Sequence, residues 1–180
     1  VKLPTKISIS LCFILSLVLV ACSSNETSDT VPSGSVEVRI TDHRVAIGDF
    51  DRLDIMIERI SFHPASAEPS AGWLDFVPDD ALVDLTQVLD GRTETVLEVM
   101  LPAGDYDAVQ LNVTQGDGDL KAGETVMVPG FEQAARVPFL VQPDETIVIV
   151  IDIIVESQDD HPGGGYELNI ANVTVPNTDE

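Results

Sequence analysis

The chain has 180 residues, with 31 acidic against nine Lys and Arg side chains, and a formal charge of −22. Such a balance excludes nucleic acid as a partner, because phosphates need basic surface to neutralise them, and it disfavours docking on anionic headgroups. It leaves three readings: solubility, adaptation to saline surroundings, and binding of divalent cations such as Ca2+.

Residues 1–21 have the layout of a secretory signal: Lys2 and Lys6, then an apolar run through Val20, then the small residue Ala21. The run is shorter than the roughly 20 apolar residues a spanning helix needs. It ends in Leu19-Val20-Ala21-Cys22, which resembles a lipobox, the cleavage and acylation signal of prokaryotic lipoproteins. The resemblance implies cleavage after Ala21 and lipid on Cys22, with two or more acyl chains giving stable anchoring. Ser23 after the cysteine resembles lipoproteins sent to the outer membrane where a host has two; otherwise the outer face of the plasma membrane is implied. Cys12 leaves with the signal, so the mature domain carries no thiol and must be held by its core. Residues 22–33 read as the lipidated cysteine and a polar tether, which reaches roughly 36 Å when fully extended.

Residues 34–176 read as one β domain, followed by a tail over 177–180. Ser35 to Thr41 alternates, with Val36, Val38 and Ile40 on one face. Leu53 to Phe62 is a strand whose apolar phase changes midway, the mark of a bulge or of two covered faces. Pro64 to Gly72 is a loop, and Trp73 to Val77 a short strand. Leu82 to Leu89 fits a short strand or a helical turn. Thr95 to Leu101 is a strand ending at the turn Pro102-Ala103-Gly104. Tyr106 to Thr114 is a strand, and Gly116-Asp117-Gly118-Asp119 a turn. A hairpin around Ala122-Gly123 pairs residues 119–121 with 125–128. Arg136 to Val141 reads as an edge strand because of Pro138. Thr146 to Val155 reads as a central strand, β-branched on both faces except at Asp152. His161 to Gly165 is a loop, and Tyr166 to Val175 closes the domain. Eight or nine short strands with frequent turns and no helix predict an all-β, antiparallel β-sandwich.

The opening strand from Gly34 to Asp42, the Leu53–Phe62 strand, Gly72-Trp73 and Val83-Asp84-Leu85-Thr86 come in a distinctive order. They are followed by Leu101-Pro102-Ala103-Gly104-Asp105-Tyr106, the Asp152 strand and the Tyr166 strand. Together they resemble the lipoprotein domain of domain-of-unknown-function family 4382. The resemblance implies a transthyretin-like or carboxypeptidase-regulatory-like sandwich and carries no catalytic residues. Relatives tend to place a second acid two residues after the Asp152 position, where this chain has Ile154.

The sequence carries few residues in arrangements that support chemistry. His43, His63 and His161 each lie near a turn, lack metal-ligand spacing and read as surface residues. No nucleophile elbow and no phosphate-binding glycine loop is present. Candidate metal ligands are Asp49, Asp51 and Asp54, which echo a calcium loop without its glycine and bidentate glutamate, together with Asp117 and Asp119. Trp73 and Tyr106 read as core residues, Tyr106 as a tyrosine corner. The expectation is a lipid-anchored, non-catalytic cell-envelope module that binds a ligand the sequence does not assign, an envelope protein partner being one candidate. The alternatives are a calcium- or salt-stabilised structural protein and, more remotely, a carbohydrate-binding module.

Overall fold

The computed structural model describes residues 31–79, 81–158 and 165–176. The expected signal, Cys22, most of the tether, His161 and the C-terminal tail lie outside the described residues. Among the described residues nine strands form two packed sheets: β1 (Ser33–His43), β2 (Phe50–Pro64), β3 (Leu74–Phe76), β4 (Leu82–Asp84), β5 (Glu94–Pro102), β6 (Gly104–Leu120), β7 (Thr125–Val141), β8 (Thr146–Ser157) and β9 (Tyr166–Thr174). The first sheet runs β5-β1-β8-β9 and the second β3-β2-β6-β7, with β4 also paired to β2. The all-β sandwich read from the sequence is the fold. Among the described residues no helix is long and apolar enough to cross a membrane.

One pairing differs from the antiparallel expectation. β1 and β8 run parallel, from Ser35 opposite Thr146 to His43 opposite Ile154. Their apolar phases coincide, so Val38 lies beside Ile149 and Ile40 beside Ile151, all fully buried. Leu53, Ile55 and Ile57 of β2 and Val109 and Leu111 of β6 complete the same core. Each such side chain contributes roughly 1.5–3 kcal/mol when removed from water. The phase change within β2 is a bulge, with register shifts on both sides of Ile57. The ambiguous Leu82–Leu89 segment is both things at once: β4, then a single 3-10 turn over Leu85–Gln87.

The expected Gly116–Asp119 turn is not a turn. β6 runs straight through it to Leu120, and the chain reverses only at Lys121–Glu124, around the expected Ala122-Gly123. Gly116 and Gly118 face inward, where side chains of β2 fill the space. A Cβ on Gly118 would stand 2.4 Å from the ring of Phe50. Here the glycines leave room for a neighbour's bulk rather than allowing a bend. Tyr106 does form the expected corner: its hydroxyl donates to the Pro102 carbonyl at 3.0 Å, and its ring stacks on Phe139 at 5.1 Å.

Candidate functional site

The sequence candidates divide between two places. On the open face of the second sheet, Asp54 of β2 stands opposite Asp84 of β4 on one side and Asp117 of β6 on the other. Arg52 stands opposite Asp119 and grips the Asp54 carboxylate through both ends of its guanidinium, at 2.9 and 2.8 Å. Like charges directly opposite across strands destabilise a sheet, and Arg52 offsets that here. A cavity of about 440 Å³ opens over Arg52, Asp54, Asp117 and Asp119, with Met127 at its border. The Asp84 carboxylate turns away to cap the 3-10 turn, accepting from the Thr86 amide and hydroxyl at 3.0 and 2.7 Å.

Asp49 and Asp51 are not part of this group of contacts. The Asp49 carboxylate accepts from the Tyr166 hydroxyl at 3.1 Å, and its carbonyl accepts the Lys121 amide. Asp51 sits in a skip of the β2 register, between Phe50 and Arg52, beside a second depression that Arg44 and Lys121 also line. Among the described residues no three Asp, Glu, His or Cys side chains are grouped so as to hold a metal ion.

Two further clusters were not singled out from the sequence. The first is at the end of β1. Asp42 continues the inward phase of Val36, Val38 and Ile40, and it is 7% exposed. Neither of its carboxylate oxygens has a hydrogen-bond partner among the described residues. Burial, and then the charge of Asp152, push this carboxyl up to about 7. Asp152 lies on the outer face opposite Thr41; its Oδ2 is 3.1 Å from Nδ1 of His43, while its Oδ1 is buried without a partner among the described residues. The signal was present in the alternation, since one more residue of the Val36–Ile40 phase falls on Asp42.

The second cluster corrects the reading of His63 as a surface residue: it is 4% exposed. The loop after β2 folds back over it. Nδ1 lies 2.7 Å from Oδ1 of Asp107 and Nε2 lies 3.0 Å from the Glu68 carbonyl, with the ring 5.0 Å from Trp73. Both nitrogens face acceptors, so the ring serves them best as a doubly protonated imidazolium. The Glu68 carbonyl first, then Asp107, raise its pKa accordingly. Ser61, two residues earlier on β2, is also buried and its hydroxyl has no partner among the described residues. Ser61, His63 and Asp107 supply the residue types of a nucleophilic triad without its chemistry. A triad histidine needs a free lone pair on Nε2 to take the serine proton, and here that nitrogen donates to Glu68. The cluster is a clamp holding the 65–73 loop to the sheet.

No curated protein matches the chain. A solved leucine-rich repeat protein from Bacteroides thetaiotaomicron is 14% identical, over 67% of this chain and 13% of its own, with a TM-score of 0.29. That likeness is too slight to carry a functional or fold argument. The family model described as "Domain of unknown function (DUF4382)" matches residues 33–169, from the first residue of β1 into β9. That span covers both sheets, and the chain belongs to the DUF4382 family.

Proposed function

We propose that this protein is a lipid-anchored, non-catalytic lipoprotein of the cell envelope whose β-sandwich serves as a binding module. The observation that carries the reading is Leu19-Val20-Ala21-Cys22 at the end of a short apolar run, eleven residues before the first strand at Ser33. An acylated Cys22 would hold the sandwich near a lipid surface while its outer faces stay accessible. Envelope protein partners and small molecules both fall within reach of such a module. The location is the outer membrane where the host has two membranes, and otherwise the outer face of the plasma membrane.

The test is metabolic labelling of the full chain with an alkyne fatty acid in a prokaryotic host. The expected result is lipid incorporation and recovery in the membrane fraction, both lost in Cys22→Ser. An unlabelled wild-type chain released to the medium overturns the anchor, and hydrolytic activity of the purified chain overturns the non-catalytic role. The row of Asp84, Asp54 and Asp117 favours a second reading, a salt- or Ca2+-stabilised structural envelope protein.

A further inference from the structure

We propose that the cavity between the 65–73 loop and the second sheet is a binding site for an acidic sugar unit, held by Arg136, Asp107 and Trp73. The inference rests on the reading of the sandwich as a binding module and names its ligand class. Register builds the floor. His63 on β2, Ala108 on β6 and Arg136 on β7 stand side by side across three strands, and Ala134 of β7 lies on the same face. The two alanines leave a gap between larger neighbours. The overlying loop walls it with Pro69 and Trp73, enclosing about 240 Å³. Pockets for drug-sized ligands run to roughly 300–1,000 Å³, so this smaller space suits a single ring.

The charge pattern points to an anion. In this acid-rich chain, Arg39, Arg44, Arg52 and Arg59 pair with Glu37, Asp90, Asp54 and Glu132. Arg92 donates to the Leu89 carbonyl. Arg136 alone among the arginines has no hydrogen-bond or ion-pair partner among the described residues, and it borders the cavity. The carboxylate lining the cavity, Asp107, is engaged by His63, whose Nδ1 lies 2.7 Å from its Oδ1. What remains is one guanidinium, whose planar fork matches a carboxylate.

The remaining lining defines the rest of the ligand. Asp107 bonds His63 through Oδ1, and its Oδ2 has no partner among the described residues, so it can accept from a hydroxyl. Trp73 is half-buried, leaning on His63, and with Pro69 it offers apolar surface to the cavity. A carboxylate, a hydroxyl and an apolar ring face on one small molecule describe a uronic acid unit.

Trp73 is the single tryptophan of the chain, so its fluorescence reports on this cavity directly. The full chain in detergent is titrated with D-galacturonate, with D-galactose as the uncharged match and acetate as the carboxylate-only match. The expected result is a saturable change with galacturonate, at least tenfold weaker responses to both controls, and at least tenfold weaker binding in Arg136→Gln. A charge-assisted hydrogen bond to Arg136 accounts for that factor. Arg136 is exposed and has no partner among the described residues, so R136Q should keep the wild-type melting temperature. Three outcomes overturn the proposal: equal binding of galactose or acetate, undiminished binding in a folded R136Q, or no saturable response up to about 50 mM, weaker than any useful affinity. The labelling of Cys22 and this titration read different properties. A chain that binds galacturonate without lipid keeps the site and loses the anchor, and a lipidated chain that binds none keeps the anchor and loses the site.

Discussion

Asp42 is the residue at which the apolar code of β1 is broken. Its position is inward, its carboxylate has no donor among the described residues, and Asp152 adds a second negative charge nearby. A buried carboxyl in such surroundings is held neutral more cheaply than ionised. The folded carboxyl titrates at about 7, against an ordinary value of 3.8. Between those values the folded chain holds a proton that the unfolded chain has released. Stability from this group is therefore fully present below about pH 4 and is lost as pH rises to about 7, after which the curve flattens. After discounting for solvent screening, the change is on the order of 2 kcal/mol. His63 acts in the same direction: its raised pKa contributes stability that is lost as pH climbs above the ordinary imidazole range. Asp42→Asn isolates the first effect. Urea midpoints at pH 4.5, 6 and 7.5 should fall with pH in the wild type and fall much less in D42N. A variant that keeps the wild-type slope would place the titrating group elsewhere.

At the scale of elements, the long β6–β7 ribbon depends on close approach between backbones. Gly130 of β7 lies where a Cβ would stand 2.0 Å from the Val113 carbonyl oxygen and 2.3 Å from that of Thr114, both on β6. Backbone cannot swing aside as a side chain can, so Gly130→Ala should force the two strands apart. The expected loss is roughly 3 kcal/mol, read as a lower urea midpoint with an unchanged slope. Gly48 is the control: an added Cβ there meets nothing within 4 Å, and G48A should stay within about 0.5 kcal/mol of wild type. An equal effect of both substitutions would contradict the close-approach account. The same ribbon marks the limit of what could be read from the sequence. Alternation identified β1, β-branching marked β8 as a central strand, and Pro138 placed β7 at an edge, because each depends on a strand's own side chains. Gly116-Asp117-Gly118-Asp119 reads as a turn on composition alone. Its extended form depends on Phe50 and Leu53, more than sixty residues earlier, which occupy the space a Cβ would need. The parallel β1–β8 pairing spans a still longer gap, from Ser35 to Thr146, and has no local signature. The metal candidates were named by composition, and the fold brought Asp54, Asp117 and Asp119 around one cavity while sending Asp49 and Asp51 to other contacts. His63 and Arg136 were invisible as neighbours because only the strand register and the returning loop bring them to one cavity.

At the scale of the whole molecule, charge is the dominant feature. Cleavage after Ala21 would remove Lys2 and Lys6 and no acid, leaving two fewer positive charges than the −22 of the full sequence. Most of the arginines are already committed to local pairs, so little positive charge is left to oppose the general repulsion. Repulsion of this kind works against the compact state and is relieved by screening, since the Debye length falls from about 10 Å at 0.1 M salt to about 3 Å at 1 M. Residues 23–180 should therefore melt about 3–6 °C higher in 1 M NaCl than in 0.05 M, on the usual conversion of stability into melting temperature. Calcium and magnesium at matched ionic strength should act alike, because Arg52 already occupies the Asp54 carboxylate at the centre of the acidic row. Arg52→Gln sharpens the test. Without its guanidinium, Asp54 and Asp117 face each other uncompensated across β2 and β6, and the response to NaCl should grow. A rise specific to calcium in the wild type would instead mean that a bound ion stabilises the folded state by linkage. It would favour the structural reading of the acidic face over simple screening.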